Sequence, residues 1–531
     1  MICDKRKKGA RLPGGGSGFP VKAQLFFAKP DRPVQYPATA AAASRFSDRK
    51  ARYLPWPDAA PLGGQRTEGV MSLQEYRAFI ASRNQAAQMH GFKAKALNDH
   101  MKHHQRVAVD FALERGSAAL FLDTGLGKSL SELEWARQVA EETRKPVLIL
   151  TPLAVAGQMI REGQKFGIDA RQIKEQSDVG AGVMVANYER FSKLDPSAFG
   201  GVVLDESSIL KSFAGQTRNR LMDAFGKTRY RLAATATPSP NDHMELGNHA
   251  EFFGVMRQQE MLSQWFINDT STASQDWRLK GHAVEDFWQW VASWSRCATL
   301  PSDLGGDDTG YVLPEIDRRL FVVKADRQEN VAEGMLFRIP EMSATSFHEE
   351  KRLTINERVE KAAHCADHND PVTIWCETNE ESAMLAKRVH DAVEVRGDMA
   401  PEEKERRLLG FADGDFRVMV TKPKLAGFGV NWQHCAHAVF ASISFSYEQH
   451  YQAVRRSHRF GQTRVVRNDI VISDTEDVIW QAINVKGKKH DEMKRRMAEA
   501  MMKAQNGGKV RTAYDRPLDL AFPEWIKGEN A

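Results

Sequence analysis

Cysteine is scarce in this chain. Five cysteines are scattered over 531 residues, and none of them forms a C-x-x-C pair. Structural zinc sites need cysteine or histidine ligands at short spacings, and disulfide frameworks are typical of short chains that are rich in cysteine. The sequence therefore predicts reduced thiols rather than a disulfide frame or a zinc site, in a cytoplasmic protein.

Long apolar runs are also absent. No stretch approaches the roughly 18 to 20 consecutive apolar residues that a membrane span requires. The basic N-terminus leads into glycine and proline rather than into the apolar stretch of a secretory signal. With 42% hydrophobic and 27% charged residues, the composition is that of a globular protein. The length predicts two or three domains, and no membrane partner is expected.

Net positive charge is confined to one end of the chain. Residues 1–70 hold 13 Lys and Arg against 5 Asp and Glu, which leaves 61 against 64 in the remainder. Any path for nucleic acid on the folded part must therefore be local. The Gly-, Pro- and Ala-rich segment 1–70 is predicted to be disordered. It is either the product of a start codon placed upstream of Met71 or a basic tail that adds affinity for a polyanion.

Short apolar runs alternate with amphipathic helical segments from about residue 95 onward. This rhythm is typical of βαβ units and parallel sheets. It occurs in two series, so we predict an α/β fold of two tandem parallel-sheet lobes with a helical, Trp-rich insertion and linker between them. The predicted strands are 118–122, 147–150, 183–186, 202–204 and 232–234 in the first series, and 372–375, 418–420, 438–441 and 470–472 in the second.

The predicted domain boundaries follow from these series. Residues 71–240 hold an N-terminal region and the first lobe, 241–345 the insertion and linker, 346–480 the second lobe, and 481–531 a solvated basic helix and tail. Within the insertion, Phe287, Trp290, Val291 and Trp294 have the spacing of one helix face, which predicts a packed stripe.

A phosphate-binding loop is predicted after the first strand, at Asp123-Thr-Gly-Leu-Gly-Lys-Ser129. Small glycines let backbone N–H groups wrap phosphates at the start of a helix. The lysine would reach the β- and γ-phosphates of ATP, and the serine would bind Mg²⁺. Leu122 stands where the strict eight-residue pattern has glycine. The residues of this loop predicted to bind ATP are Thr124, Gly125, Leu126, Gly127, Lys128 and Ser129.

Two adjacent carboxylates follow the strand 202–204. Asp205 would hold Mg²⁺, and Glu206 would position and deprotonate the water that attacks the γ-phosphate. Upstream, Gln105 precedes the phosphate loop by one helix, and its amide could hydrogen-bond an adenine edge. An ordinary surface glutamine is the alternative interpretation of Gln105.

These motifs resemble those of the superfamily-two helicases, and more narrowly those of the Swi/Snf-type DNA translocases. The resemblance continues in order from His104 to roughly Glu476. It implies that both lobes are RecA-like and that the ATP site lies in the cleft between them. In the first lobe the resemblance extends to Thr151-Pro152, to Ala186-Asn-Tyr-Glu189 at the end of a predicted strand, and to Thr235-Ala-Thr-Pro238. It implies nucleic-acid contacts at Thr151, Pro152, Tyr188, Thr235 and Thr237.

The second lobe carries the more specific part of the resemblance. Ala426-Gly-Phe-Gly-Val-Asn431 is similar to the family's fifth motif, and Gln452-Ala-Val-Arg-Arg-Ser-His-Arg-Phe-Gly-Gln462 closely resembles its sixth. Phosphoryl transfer develops charge on the equatorial oxygens, which an arginine from another lobe can neutralise. The resemblance implies an arginine finger at Arg459, a γ-phosphate contact at Arg456, nucleotide-site roles for Gln452 and Gly429, and nucleic-acid contacts at Gly427 and Asn431.

The chain also departs from the family pattern. Ser208 stands where the family usually has histidine, which puts tight coupling between hydrolysis and nucleic-acid binding in doubt. Thr235-Ala-Thr resembles the wider superfamily more than the Swi/Snf form. The chain length resembles that of short members from bacteriophages and prophages, so a bacterial or phage-infected cell is the expected setting.

The resemblance implies an ATP- and Mg²⁺-dependent motor that moves along DNA, with duplex favoured and RNA as the other polymer. One alternative is a strand-separating helicase that acts on RNA or forked DNA. A second is a nucleotide-gated adaptor that binds DNA for a partner nuclease or replication protein. The polymer that stimulates ATP hydrolysis distinguishes these three hypotheses.

Overall fold

The computed structural model describes residues 89–152, 155–211, 215–269, 276–324, 351–426 and 430–506. The predicted disordered segment 1–70 lies outside the described residues, and so do Gly427 and Gly429.

The first lobe is built on a parallel sheet. In the described residues the sheet has seven strands in the order β3-β4-β2-β5-β6-β1-β9, all paired in parallel. The five predicted strands form its centre, and β1, β2, β4, β5 and β6 are buried along their whole length, as expected of a sheet covered on both faces. The first six strands are β1 (Ser117–Leu122), β2 (Val147–Thr151), β3 (Ala170–Gln172), β4 (Val183–Asn187), β5 (Gly201–Asp205) and β6 (Tyr230–Ala234).

Helices cover this sheet and extend into the predicted insertion. The last three strands of the region are β7 (Phe266–Asp269) and β8 (Asp276–Leu279), which form an antiparallel hairpin, and β9 (Ser295–Ala298). The helices are α1 (His103–Arg115), α2 (Lys128–Thr143), α3 (Ala156–Lys165), α4 (Gln216–Phe225), α5 (Leu246–Phe252), α6 (Gln258–Trp265) and α7 (Val284–Trp294).

The aromatic stripe of the insertion is packed, as predicted. Phe287, Trp290, Val291 and Trp294 on α7 are each at most 1% exposed. The Trp290 ring centroid lies 4.7 Å from that of Trp265. The strand β9 follows α7 directly and pairs with β1, so the predicted insertion contributes the edge strand of the first sheet.

Replacing Trp290 with alanine should destabilise the first lobe by about 3–5 kcal/mol. Removal of the buried indole leaves a cavity that the neighbouring side chains fill only partly. Thermal unfolding of the full chain measures the effect, with Val465→Ala as the control because Val465 is 59% exposed. A loss for Trp290→Ala as small as that of the control would contradict the packed interpretation.

The second lobe has its own parallel sheet. In the described residues its order is β10-β15-β14-β11-β13-β12, again with parallel pairing throughout. The strands are β10 (Ile316–Val323), β11 (Val372–Trp375), β12 (Ala392–Glu394), β13 (Val418–Thr421), β14 (His437–Phe440) and β15 (Val466–Ser473). The helices are α8 (Ile355–Cys365), α9 (Asn379–Arg388), α10 (Pro401–Asp413), α11 (Pro423–Ala426), α12 (Tyr447–Val454) and α13 (Asp477–Asn506).

The two sheets confirm the predicted α/β fold of two tandem RecA-like lobes. The strand β10 lies within the segment predicted as linker and forms the edge of the second sheet beside β15. None of the helices in the described part of the chain combines the length and the apolar character that crossing a bilayer requires.

The C-terminal helix α13 connects the two lobes. It follows the last strand of the second sheet, but Met493, Met497 and Met501 belong to the first lobe's hydrophobic core and are each 1% exposed. The expectation of a solvated helix therefore holds for only one face of α13. The other face completes the core of the first lobe.

Candidate active site

The predicted phosphate loop connects β1 to α2. Gly125 and Gly127 have φ values of 90° and 79°, a region that glycine adopts without the steric cost of a side chain. Lys128 begins α2, and its Nζ donates to the Leu122 carbonyl at 3.0 Å. A Cβ on Gly125 would lie only 2.8 Å from the backbone nitrogen of Phe460. The second lobe therefore approaches this loop closely.

The two predicted carboxylates lie beside the loop, where β5 ends. Glu206 has a φ of 55°, which is uncommon for a residue with a side chain and is typical of functional sites. Its Oε1 accepts hydrogen bonds from Thr235 Oγ1 at 2.5 Å, from Gln452 Nε2 at 3.2 Å and from Ser208 Oγ at 3.4 Å. Both lobes therefore orient this carboxylate.

The electrostatic environment of the Asp205 and Glu206 carboxyl groups favours a bound cation. Burial raises the pKa of Asp205 to about 7; Glu206 adds to the shift and Lys128 opposes it. Burial also raises the pKa of Glu206, again against Lys128. A divalent cation would stabilise both ionised carboxylates. Asp205 and Ser129 line one cavity, and one carboxylate plus one hydroxyl suits Mg²⁺, which keeps waters and takes substrate phosphates as its other ligands.

The second lobe contributes arginines to the same cavity. The helix α12 and the turn after it carry Gln452, Arg456 and Arg459. Burial lowers the pKa of Arg456 to about 9, and neighbouring Arg459 adds to this effect. Burial lowers the pKa of Arg459 as well. The buried guanidinium group of Arg456 and the partly buried one of Arg459 are suited to an anion such as the γ-phosphate. The predicted residues that line the cavity are Thr124, Gly125, Gly127, Lys128, Ser129, Pro152, Asp205, Glu206, Gln452, Arg456 and Arg459.

The threonines predicted to touch nucleic acid lie in the protein interior. Thr235 and Thr237 are 0% exposed. Thr235 donates to Glu206, and Thr237 Oγ1 accepts from Gln452 Nε2 at 3.4 Å. Their observed contacts are thus with the candidate catalytic groups, and a direct contact with nucleic acid would require them to leave the interior.

The other predicted nucleic-acid residues differ in exposure. Thr151 is 0% exposed, and Tyr188, at 8%, donates its hydroxyl to the Asp205 carbonyl at 2.8 Å. Pro152 lines the cavity. Asn431 is exposed, and it hydrogen-bonds the neighbouring Gln433.

The side-chain amide of Gln105 hydrogen-bonds the predicted phosphate loop, so it does not point a free donor at a nucleotide base. Its Nε2 donates to the carbonyls of Leu126 and Gly127, at 3.3 Å each. Its Oε1 accepts from the Lys102 backbone N–H at 2.8 Å. The predicted adenine contact would need Gln105 to give up these bonds, so in this structure Gln105 braces the phosphate loop.

A network that sequence reasoning missed surrounds Asp123, the first residue of the loop motif. Tyr451 Oη donates to Asp123 Oδ1 at 2.5 Å, and Lys494 Nζ donates to Oδ2 at 2.8 Å. Arg455 Nη2 lies 3.4 Å from the same oxygen. Burial alone would raise the pKa of Asp123, but Arg455 and Lys494 hold it far below its usual range. One side chain of the first lobe is thereby tied to α12 and α13.

Asp123→Asn should destabilise the chain by about 3–5 kcal/mol, because the change leaves the buried Lys494 and the partly buried Arg455 without their counter-charge. Thermal unfolding without nucleotide measures the loss. Adding Lys494→Met should recover part of it, since the double variant removes one of the uncompensated charges. Equal stability of Asp123→Asn and the unaltered chain would contradict the role of this network.

Comparison with known proteins adds to this geometry. Residues 353–461 match the helicase conserved C-terminal domain. Eukaryotic initiation factor 4A of Dictyostelium discoideum is 29% identical over 105 residues, which are 19% of this chain and 26% of that protein. The chain therefore matches about a quarter of that relative's length. The Sulfolobus solfataricus SWI2/SNF2 ATPase core in complex with dsDNA is 15% identical with a TM-score of 0.36, and the match covers 80% of this chain and 99% of that one.

Two RecA-like lobes, with the predicted phosphate loop on one and arginines from the other, line one cavity, and this cavity is the candidate nucleotide site. The part of the chain that matches the helicase conserved C-terminal domain, residues 353–461, lies in the second lobe and includes Arg456 and Arg459. The resemblance to the short phage and prophage members stays a prediction.

Proposed function

We propose that the chain is an ATP-dependent DNA translocase that hydrolyses ATP between its two lobes. The observation that carries this proposal is the position of Glu206, which accepts hydrogen bonds from Thr235 on the first lobe and from Gln452 on the second. Hydrolysis at such a site depends on how the lobes are placed. A change in lobe placement imposed by DNA is therefore a change in the hydrolytic site.

Different residues of the chain bind the phosphates, accept the proton and neutralise the developing charge. The loop N–H groups and Lys128 hold the phosphates, and Glu206 accepts a proton from the attacking water. Arg456 and Arg459 neutralise the charge that develops on the transferred phosphoryl group. Ser129 and Asp205 would hold Mg²⁺, which would neutralise part of the charge on the phosphates when bound.

Coupling to DNA follows from the same contacts. Thr237 and Glu206 share the Gln452 amide, so a rotation of α12 changes the hydrogen bonds of the catalytic carboxylate. ATP would draw the lobes together, and product release would let them separate. If each lobe binds the DNA backbone in turn, this cycle of closure and opening moves the protein along the duplex. Phosphate contacts should dominate such binding, so affinity should fall steeply with salt.

Gln452→Ala should reduce DNA-stimulated hydrolysis by about 10²-fold, the size of effect seen when one positioned hydrogen-bond donor is lost from a catalytic site. The basal rate should fall less, since the phosphate loop and both arginines remain. Steady-state hydrolysis with and without duplex DNA measures both values. An equal loss in both would show that Gln452 acts in hydrolysis alone.

Triplex displacement tests translocation itself. The full chain is mixed with duplex DNA that carries a third, triplex-forming strand, and release of that strand is followed after ATP is added. We expect ATP-dependent release without separation of the duplex. Separation of a forked duplex instead would favour the strand-separating helicase, and neither activity, despite ATP binding, would favour the adaptor.

A further inference from the structure

A cavity of about 360 Å³ lies between the hairpin of β7 and β8 and the C-terminal helix α13. Among the described residues, it shares no lining residue with the candidate nucleotide cavity. Lys486 of α13 lines it and donates to the carbonyl of Phe445, in the second lobe, at 3.0 Å. The hairpin cavity therefore lies where the two lobes meet, apart from the candidate site of hydrolysis.

Positive charge exceeds negative charge on the wall of the hairpin cavity. Its two carboxylates are already engaged. Asp242 accepts from a backbone N–H of the turn that it precedes, at 3.1 Å, and Glu492 accepts hydrogen bonds from Arg495 and Arg496. Lys489 is exposed, and within the described part of the chain it makes no ion pair. The cations of the wall are Arg278, Lys486, Lys489 and Arg496. This excess of cations suits an anionic ligand.

Aromatic side chains form another part of the wall. Trp277 of β8 is partly exposed, whereas Trp288 of α7 is 4% exposed and packs edge-on against His243, with ring centroids 5.3 Å apart. His490 of α13 also lines the cavity, and both of its ring nitrogens are buried without a hydrogen-bond partner in the described residues. Burial lowers the pKa of His490 well below its usual range, so the neutral ring can both donate and accept. A ligand in the cavity thus meets an indole and an imidazole beside the cations.

The hairpin cavity continues into a groove along α7 and α13. This groove has a volume of about 390 Å³, and its wall shares Val284, Trp288 and Arg496 with the cavity. His282 and Lys503 line its remaining length together with residues of the two helices. A ligand that leaves the cavity therefore has a continuous path, which suits a polymer better than a small molecule.

Resting on the proposed function, we propose that the hairpin cavity binds an unpaired nucleotide at a junction of duplex and single-stranded DNA, with the next nucleotides in the groove. A basic groove combined with aromatic side chains is how proteins bind single strands without sequence preference. Trp277 stacks with the unpaired base, while Arg278 and Lys489 contact its phosphates. A blunt duplex keeps its bases paired and stacked, so it leaves Trp277 unused. The chain accordingly prefers a junction to a blunt duplex.

Fluorescence anisotropy of the full chain with labelled DNA tests the site. The probes are a blunt duplex, the same duplex with a dT overhang at the 3′ or the 5′ end, and the same overhangs built from abasic units. We expect one of the two dT overhangs to raise the affinity about tenfold over the blunt duplex, which is within the strength of base–aromatic stacking. Most of this gain should be absent with abasic units, which carry phosphates but no bases.

Substitutions separate the phosphate contact from the stacking contact. For overhang DNA, Lys489→Ala should reduce the slope of log affinity against log salt by about 0.7, the value of one single-strand phosphate contact, and should leave the slope for blunt duplex unaltered. Lys488→Ala is the matched control, because Lys488 is the exposed neighbour that does not line the cavity. Trp277→Leu should remove most of the gain from the overhang, and Trp277→Phe should retain it. Hydrolysis without DNA should be unaltered in these variants, which shows that they fold.

Two outcomes would overturn the junction site. The first is equal affinity of the unaltered chain for blunt and overhang DNA. The second is identical salt slopes for Lys489→Ala and Lys488→Ala on overhang DNA, which would leave the cations of the cavity to an acidic peptide instead. Failure of the proposed function has a different signature, because the unaltered chain would then bind junctions while duplex DNA left its ATP hydrolysis unstimulated.

Discussion

Arg459→Ala lowers the rate constant for ATP hydrolysis by about 10³-fold or more, which is the range observed for arginine fingers. The reason is electrostatic: charge develops on the equatorial oxygens in the transition state, and Arg459 lies in the cavity that would hold them. ATP affinity should change far less, because the phosphate loop and Lys128 remain. Single-turnover hydrolysis and equilibrium nucleotide binding separate the two effects.

Arg406→Ala is the matched control for that experiment. Arg406 is on α10 of the same lobe, its side chain is 71% exposed and it pairs with Glu403. Its replacement should leave hydrolysis unaltered. If Arg459→Ala weakened ATP binding strongly and left the single-turnover rate unaltered, Arg459 would be a ground-state binding residue rather than an arginine finger.

Glu206→Gln should lower hydrolysis by about 10²- to 10⁴-fold, the usual contribution of a positioned general base. Glutamine keeps the shape of the side chain and can still accept a hydrogen bond from Thr235, so the protein should fold and bind ATP. ATP should then persist in the complex. Quenched-flow measurement of phosphate formation, beside filter binding of labelled ATP, gives both quantities.

The control for Glu206→Gln is Glu189→Gln, which makes the same change at an exposed position of the first lobe. Full hydrolysis by Glu206→Gln would exclude Glu206 as the base. Loss of both ATP binding and hydrolysis would instead indicate that Glu206 holds the site together, through its contacts with Thr235 and Gln452.

The central strands of both sheets were predictable because each is a short apolar run that is buried on both faces. The edge strands were not. In β3 (Ala170–Gln172) only the first residue is buried, and in β10 (Ile316–Val323) every residue is partly exposed or exposed. The strands β3 and β10 are therefore defined by the neighbour that each pairs with rather than by their own composition.

The candidate site likewise has residues that the sequence could predict and contacts that it could not. The loop from Thr124 to Ser129 and the carboxylates of Asp205 and Glu206 are local signals, and one cavity brings them together. The pairing of Asp123 with Lys494 joins residues 371 positions apart, so no spacing rule could indicate it. The orientation of Gln105 was also unpredictable, because loop carbonyls compete with a base for its amide.

Steady-state ATP hydrolysis by the full chain, with duplex DNA, single-stranded DNA, RNA or no polymer, tests the central claim most directly. The account predicts strong stimulation by duplex DNA that is lost in Lys128→Ala. Stimulation by RNA or single strands alone would favour the strand-separating helicase. Hydrolysis that is absent, or indifferent to every polymer, in a folded protein that binds ATP would contradict the translocase.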